Sequence, residues 1–344
     1  MRIKDCPNTL FDYLSFTQKL VRWDHWYESK IPLFFILGYT LLIINGLDVI
    51  SFLNYIRLIL FAILFLAFGY ALNDYCDQEY DLQVGKPNSI ASLRSDRAIL
   101  FIILLFVLGW LSLPSRNPTS LVLAIVAYFF MAFYSLPPLR FKERGILGLI
   151  VASIAQRSLP GLVFFATYRH WETDTLLFSF LYFFVGLRWI IAHQIWDFEN
   201  DSNSGVRTFA AQIGKDRLTG LLKWLVFPVE LALLAALIVY YFNRLPWLLV
   251  LFGVYLVWLW LSFRSRRQAG RSLSLIASEW IPLADFYFIL WPLSLSFYLA
   301  LEEPFFWIVF FLNILWQHWL ITIRLQFFWK VANGQFSHRR SSSR

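Results

Sequence analysis

The chain has 344 residues, of which 59% are hydrophobic and 15% are charged, and its net charge at pH 7 is +8. A soluble domain carries nearer a quarter charged residues, so the composition excludes an ordinary soluble protein. The positive charge does not indicate nucleic-acid binding, because the basic residues lie in short segments between apolar runs and no aromatic-basic module accompanies them. The two cysteines, Cys6 and Cys76, exclude a disulfide framework.

Residues 1–30 mix apolar and basic side chains with tryptophan and tyrosine. This pattern is typical of an amphipathic helix that lies in the membrane interface and leads into a first span. No apolar core of a signal peptide precedes Pro32, so we expect no cleaved leader. We therefore predict an interfacial segment at 1–30, a membrane domain at 31–329, and a polar, basic and disordered tail at 330–344.

The membrane domain contains a series of apolar runs of the length that a helix needs to cross the roughly 30 Å hydrocarbon layer. The runs are continuous and show no two-residue alternation, so they predict helices and exclude transmembrane strands. The predicted spans are 32–50, 53–72, 98–113, 119–136, 146–168, 176–194, 219–242, 246–263, 280–300 and 304–325. The predicted fold is an all-α, polytopic membrane helical bundle.

The basic residues predict how these spans are oriented. Six segments on one side hold 22 of the 30 lysines and arginines. These segments are 1–31, 73–97, 137–145, 194–217, 262–280 and 326–344. Because basic loops face the cytoplasm, we expect a multi-pass protein of the cell inner or plasma membrane with this side cytoplasmic. Ten spans with both chain ends cytoplasmic fit the pattern better than nine.

The first acidic stretch follows the second predicted span, where residues 73–81 read NDYCDQEYD. On a helix, Asn73, Asp77 and Asp81 form a stripe on one face, with Asp74 beside it. Carboxylates this close repel one another and are expected to need a counter-ion, for which Mg²⁺ together with a substrate phosphate is best suited. The alternative is a solvated acidic cap between two membrane helices.

The second acidic stretch ends the sixth predicted span, where residues 193–201 read HQIWDFEND. Asp197 and Asp201 are four residues apart, with His193 one turn earlier and Gln194 on the neighbouring edge. Both stretches lie on the basic side of the membrane. Two carboxylate clusters at one face can hold two cations, which would bridge a diphosphate and stabilise it as a leaving group.

A third polar segment follows the fourth predicted span, where residues 134–144 read YSLPPLRFKER. The two prolines end the helix, because proline cannot continue the backbone hydrogen bonding. The break leaves Arg140, Lys142 and Arg144 on the side of the carboxylates, where they could take up negative charge on a diphosphate. The alternative is an ordinary basic loop.

Taken together, these three motifs resemble the UbiA superfamily of intramembrane prenyltransferases, and the resemblance runs from about residue 20 to 260. It implies nine or ten transmembrane helices around a central cavity that opens to lipid. It also implies a Mg²⁺-dependent reaction in which a prenyl diphosphate ionises and alkylates an acceptor. Two departures concern the second stretch, because Gln194 stands where the family usually has an acidic residue and Asn200 where glycine is common.

Carried onto this sequence, the resemblance implies a set of site residues. The metal ligands would be Asn73, Asp74, Asp77, Asp81, Asp197 and Asp201. The catalytic residues would be Asp77, Asp201, Lys142 and Tyr134, of which the last two would orient and neutralise the diphosphate. The substrate-binding residues would include Asn73, Arg144 and Lys86. Their positions in or at the end of predicted spans, rather than the resemblance, add Arg157, His193 and Gln194.

Two of these residues lie inside predicted spans and leave alternatives open. Arg157 could meet an anionic acceptor or the diphosphate, or it could pair with an interior carboxylate. His193 could accept the acceptor's proton, or it could donate a hydrogen bond to a carboxylate.

The predicted function is Mg²⁺-dependent transfer of an isoprenyl group from a prenyl diphosphate to a lipophilic or aromatic acceptor within the lipid bilayer. No obligate protein partner is expected. One alternative is a terpene cyclase of the same superfamily, which would turn the cation on its own chain. An alternative from another class is a membrane transporter or cation channel with acidic mouths.

Overall fold

The computed structural model describes residues 10–83, 85–114, 117–199, 208–268 and 282–332. These residues form helices and turns and contain no β-strand, which confirms the predicted all-α fold. In chain order the helices are α1 Leu10–Leu20, α2 Ile31–Asn45, α3 Val49–Cys76, α4 Gln78–Gln83, α5 Ser95–Ser112, α6 Pro118–Phe133, α7 Ile146–Tyr168, α8 Thr173–Trp196, α9 Phe209–Ile213, α10 Lys215–Tyr240, α11 Trp247–Gln268, α12 Phe286–Glu302 and α13 Phe306–Ala332.

Seven of the helices in the described part of the chain are long and apolar enough to cross a membrane, namely α3, α5, α7, α8, α10, α11 and α13. Three shorter apolar helices, α2, α6 and α12, coincide with the other predicted spans. Together they make the chain an integral, multi-pass membrane protein. Whether the short helices also cross the bilayer is not decided by their length, so the count of nine or ten spans stays a prediction.

Local sequence explains where several helices begin. The Asp48 side chain accepts hydrogen bonds from the first backbone amides of α3, at 2.9 Å from Ile50 N and 3.0 Å from Ser51 N. Asn117 caps α6 in the same way, and Pro118 fills its first turn, where no amide hydrogen is needed. Glu172 and Thr175 form a reciprocal capping box at the start of α8.

The outer face of α5 illustrates contact with lipid. Ile99, Leu100, Ile103, Leu104 and Leu111 are all exposed, whereas Ala98, Ile102 and Leu105 are buried against the rest of the protein. A soluble protein rarely exposes so continuous an apolar surface. The exposed side of α5 therefore faces the hydrocarbon layer.

The chain forms two compact units, Met1–Leu237 and Ile238–Arg344. In the first unit α3 packs against α2 and α5, and α7 packs against α6 and α8. In the second unit α12 packs against α13, where Asn313 Nδ2 donates to Ser296 Oγ at 3.1 Å and Arg324 pairs with Asp285 at 2.6 Å. The single membrane domain at 31–329 stays a prediction.

The predicted segments at the chain ends are described only in part. Residues 10–20 form helix α1, and the interfacial position of this segment stays a prediction. Residues 1–9 and the tail beyond 332 lie outside the described residues.

The directions of the helices place both acidic stretches at one end of the first unit. The Tyr168 hydroxyl, at the end of α7, donates to Ser51 O, at the start of α3, at 2.6 Å. Midway along, Ser158 Oγ of α7 donates to Ser179 O of α8 at 3.0 Å. Helices α3 and α8 therefore begin at the Tyr168 end and run away from it. Their last residues, with which the two acidic stretches begin, lie at the opposite end.

Gly186 allows α7 and α8 to pack closely. A Cβ at Gly186 would lie 3.0 Å from Ser153 Cα, a backbone atom that cannot move aside alone. We expect Gly186→Ala to separate the helices and cost about 1–3 kcal/mol of unfolding free energy. Unfolding in detergent micelles measures this cost. Gly220→Ala is the control, because no atom lies within 4 Å of its Cβ. Equal stability of the two variants would contradict this close packing.

Candidate active site

The first acidic stretch is broken by a bend. Helix α3 ends at Cys76, Asp77 caps it, and α4 begins at Gln78. The prediction of one continuous helical stripe is therefore wrong at Asp77. The bend divides the polar residues of the stretch into two groups, each with its own basic partners.

The first group consists of Asn73 and Asp77. Lys142 Nζ donates to Asp77 Oδ1 and also lies 3.3 Å from Asn73 Oδ1. Arg140 Nη2 donates to the same Asp77 oxygen at 3.2 Å, and the buried Ser135 hydroxyl donates to Asn73 Oδ1 at 2.8 Å. The structure thus brings the acidic stretch and the 134–144 segment together, as predicted for Lys142.

The second group consists of Asp74 and Asp81, whose side chains are almost completely buried. Arg22 Nη1 pairs with Asp74 Oδ1 at 3.2 Å, and Lys86 Nζ lies 3.7 Å from Asp81 Oδ1. Asn88 Nδ2 joins the group, because it donates to Asp81 Oδ2 at 2.8 Å and to Asp74 O at 2.7 Å. Each carboxylate is thus held by a single cation.

The loop between α6 and α7 positions Lys142. Its backbone amide donates to Tyr134 O at 3.1 Å, which closes the loop around a cis Pro137–Pro138 bond. Burial, followed by the neighbouring Tyr70 and Asp77, raises the pKa of the Tyr134 phenol. Tyr134 therefore stays protonated at neutral pH and is able to act as a hydrogen-bond donor.

Arg144 has a different environment from Arg140. Its guanidinium donates to the carbonyl oxygens of Leu139 and Pro138, the second at 3.0 Å, within its own loop. Contact with a substrate stays a prediction for Arg144. Arg140, which the sequence-based set omits, contacts the acidic stretch instead.

The second acidic stretch is described up to residue 199. Asp197 caps α8 and is exposed, and the exposed His193 ring packs edge-on against Trp196 at 5.3 Å. Gln194 Oε1 accepts a hydrogen bond from Ala210 N at 3.1 Å, which fastens α9 to the end of α8. Asp201 lies outside the described residues, so its convergence with Asp77 stays a prediction.

The electrostatic surroundings of His25 connect the two stretches. Burial first, and then the positive charges of Arg22, His193, Lys30 and Lys86 in that order, lower the pKa of His25 to about 4. Arg22 and Lys86 are the partners of Asp74 and Asp81, whereas His193 belongs to the second stretch. Charged groups beside both stretches therefore affect the pKa of His25.

The residues of the first stretch fit a divalent cation. Asp81 Oδ1 is buried and has no hydrogen-bond partner among the described residues, and Asp74 and Asp77 supply further hard oxygen donors. Mg²⁺ prefers such oxygens. A separate cluster of His170, Glu172 and Asp174 has ligand atoms within 4.8 Å of one another. It lies at the start of α8, the opposite end from Asp77, where His170 already pairs with Asp174 at 2.9 Å.

The sequence-based set misses Arg22 and Asn88, which contact Asp74 and Asp81, and it omits Arg140 although the sequence places that residue on the side of the carboxylates. Arg22 and Arg140 both have left-handed backbones, with φ values of 51° and 38°, a conformation that is uncommon outside glycine and that clusters at functional sites. The left-handed backbone of these two residues is visible in the structure and not in the sequence. Asn88 could have been predicted from the sequence, since it follows Lys86-Pro87 shortly after the acidic stretch.

Curated relatives include two digeranylgeranylglyceryl phosphate synthases. That of Sulfurisphaera tokodaii is 28% identical over 183 residues, which cover 51% of this chain and 62% of the relative. That of Saccharolobus solfataricus is 29% identical over 201 residues, covering 57% and 66%. The chain thus spans less than two thirds of the length of these relatives.

Solved structures show the same fold. A UbiA homologue from Archaeoglobus fulgidus bound to DMAPP and Mg²⁺ has a TM-score of 0.60 at 16% identity, covering 81% of this chain and 98% of that chain. The same homologue bound to GPP and Mg²⁺ gives 0.57 at 18% identity, covering 81% and 99%. A model of the UbiA prenyltransferase family matches residues 33–280, well over half of the chain. The chain therefore belongs to the UbiA prenyltransferase family.

Proposed function

We propose that this protein is a Mg²⁺-dependent intramembrane prenyltransferase that moves an isoprenyl group from a prenyl diphosphate to a lipophilic or aromatic acceptor. The observation that carries this proposal is the group of buried carboxylates, Asp74 and Asp81, beside Asp77 and Lys142 at the end of a membrane helix. Ionisable side chains buried at the end of a membrane helix are rare and mark functional sites. The names of the curated relatives and the ligands of the Archaeoglobus fulgidus structures support the same chemistry.

The residues that would hold Mg²⁺ are Asn73, Asp74, Asp77, Asp81, Asp197 and Asp201. The metal would supply positive charge that neutralises the diphosphate and improves it as a leaving group. Most of this task would fall to the first stretch, because Gln194 is neutral and its amide oxygen already accepts a hydrogen bond from Ala210 N.

The basic residues have a second task in this proposal. In the free protein, Lys142 and Arg140 neutralise Asp77. With metal and diphosphate held by the carboxylates, Lys142 and Arg140 would be free to donate to the phosphate oxygens, together with the neutral Tyr134 phenol. The carboxylates and the basic side chains would each keep a partner of opposite charge, so the free-energy cost of opening these ion pairs stays low.

The orientation of the site follows from the same charge pattern. The site lies at the end of the first unit that carries the basic segments 73–97 and 137–145. We propose that this end faces the cytoplasm, in an inner or plasma membrane, where water-soluble diphosphate and Mg²⁺ are available.

Product analysis tests the proposed function. Purified protein is incubated with Mg²⁺, prenyl diphosphates of several lengths and a membrane extract, and the products are identified by mass. We expect pyrophosphate release and a prenylated acceptor. A cyclised product formed without acceptor would identify a cyclase instead. Aspartate-dependent cation flux in vesicles without pyrophosphate release would identify a transporter.

Lys142 offers a specific test of diphosphate binding. Removing a charge-assisted hydrogen bond costs about 1.5–3 kcal/mol, so we expect Lys142→Met to raise the KM for the prenyl diphosphate roughly 10- to 100-fold. Steady-state kinetics measure the change. The exposed Lys215 of α10 provides the matched control, Lys215→Met, which should leave KM unchanged. An unchanged KM in the Lys142 variant would remove this lysine from the site.

A further inference from the structure

A second set of polar residues lies deeper than the acidic stretch. Lys30 is only 4% exposed, and its Nζ donates to the Tyr70 hydroxyl at 2.5 Å and to Gln156 Oε1. Tyr70 precedes Asp74 by one helical turn, about 6 Å along the axis of α3. Within the described ranges, no carboxylate lies at ion-pair distance from Lys30.

Arg157 is the second cation in this region, and it is also only 4% exposed. It follows Gln156 in a π-helical segment of α7, Ile154–Ser158, a feature that often marks functional sites. Its Nε has no hydrogen-bond partner, and Arg157 forms no ion pair with any described residue. The interior carboxylate Glu230 pairs with Arg188 instead, which donates to both of its oxygens, at 2.6 and 2.8 Å.

These two charges are mutually unfavourable in the free protein. Burial lowers the pKa of Lys30 well below its usual value, and the positive charges of Arg157 and Arg22 lower it further. A buried cation without a counter-ion is costly, and two such cations near each other cost more. A bound anion would relieve both costs.

We propose that Lys30 and Arg157, assisted by Tyr70 and Gln156, form a second anion site that binds a phosphate monoester group on the acceptor. The inference rests on the proposed function, because it identifies the chemical class of the acceptor in that reaction. Two cations match the charge of a phosphate monoester, which is −1.5 to −2 at pH 7. A carboxylate would leave about one buried positive charge unpaired.

The position of this site separates its ligand from the diphosphate. The carboxylates that would hold metal and diphosphate lie at the end of α3 and beyond, whereas Tyr70 and Gln156 lie within the membrane helices α3 and α7. An acceptor anchored there by its phosphate would present its remaining groups near the allylic carbon. Fixing the acceptor in this way supplies the proximity that the coupling step needs.

Binding of simple amphiphiles tests the site without turnover. The full-length protein in detergent is titrated with octyl phosphate, octanoate or octanol, in the absence of Mg²⁺ and prenyl diphosphate, and the Tm shift is recorded. We expect octyl phosphate to raise Tm, octanoate to raise it less and octanol to leave it unchanged. Equal shifts with octanoate would overturn the assignment to phosphate, and equal shifts with octanol would overturn the anion site.

Variants connect this binding to the two cations. We expect Lys30→Met and Arg157→Met each to weaken octyl phosphate binding about tenfold or more. Their Tm without ligand should equal or exceed that of the wild type, because each removes an unpaired buried charge. The control Arg94→Gln changes an exposed arginine paired with Asp96 and should alter neither property. A lower Tm with unchanged octyl phosphate affinity would make the cations structural and overturn the proposal.

A last experiment distinguishes binding of the acceptor from binding of the donor. Geranyl diphosphate binding with Mg²⁺ should be unaffected by Lys30→Met. Loss of geranyl diphosphate binding in that variant would assign the cations to the donor and overturn the proposal. If octyl phosphate binds as expected but no acceptor is ever prenylated, the anion site stands and the proposed function fails.

Discussion

Replacing Asp81 by asparagine is expected to reduce pyrophosphate release by at least 100-fold. The substitution keeps the shape of the side chain, and an amide oxygen is still able to accept the hydrogen bond from Asn88 Nδ2. It removes the negative charge and one of the oxygens that fit a divalent cation. Loss of about 3 kcal/mol of transition-state stabilisation corresponds to this reduction in rate.

The metal dependence distinguishes this effect from general damage. We expect Asp81→Asn to shift the Mg²⁺ concentration for half-maximal activity upward, and its Tm without metal to equal or exceed that of the wild type. The control is Asp96→Asn, because Asp96 is 62% exposed and paired only with the exposed Arg94. Wild-type activity and an unchanged Mg²⁺ requirement in the Asp81 variant would contradict the proposed metal site.

The apolar pattern was sufficient to predict the helices. Each predicted span coincides with an observed helix, because bilayer-spanning segments must satisfy their backbone hydrogen bonds internally. At the first span, predicted as 32–50, α2 ends at Asn45 and Gly46 takes up a φ of 103°. A hydropathy average does not register such a turn, because Leu47, Val49 and Ile50 are as apolar as the helix before them.

The site could be predicted only where its partners share a helix or a motif. Lys142 was found because it belongs to a recognisable segment, and the structure shows it in contact with Asp77, whereas its role toward a diphosphate stays a prediction. Arg22 and Lys30 were missed because residues 1–30 read as an interfacial segment, whereas their partners lie 40 to 126 positions later in the chain. Charge compensation across such separations depends on helix packing, which the sequence pattern does not specify.

The bend at Asp77 has a local cause, which is the repulsion between neighbouring carboxylates. On one continuous helix face Asp77 and Asp81 would repel each other, whereas the bend sends Asp77 to Lys142 and Asp81 to Lys86 and Asn88. Separate partners relieve the repulsion at the cost of a few backbone hydrogen bonds. Electrostatics therefore overrides helical continuity at the end of α3.

Replacing Arg188 by methionine is expected to have the largest effect on stability. Arg188 and Glu230 join α8 to α10, with side chains 1% and 0% exposed and two hydrogen bonds between them. Removing one partner leaves a buried charge without compensation, so we expect a loss of about 3–5 kcal/mol in unfolding free energy. Unfolding in detergent micelles measures this loss.

The double variant Arg188→Met with Glu230→Gln measures the energy of the ion pair apart from the other contacts of the two side chains. Removing both charges leaves neither unpaired, so we expect it to recover most of the stability lost in the single variant. The coupling energy from this cycle should be about 2 kcal/mol or more, because the pair is buried and bidentate. If the losses of the two single variants simply added in the double variant, Arg188 and Glu230 would stabilise the bundle through separate contacts, and Glu230 would be free to compensate Arg157.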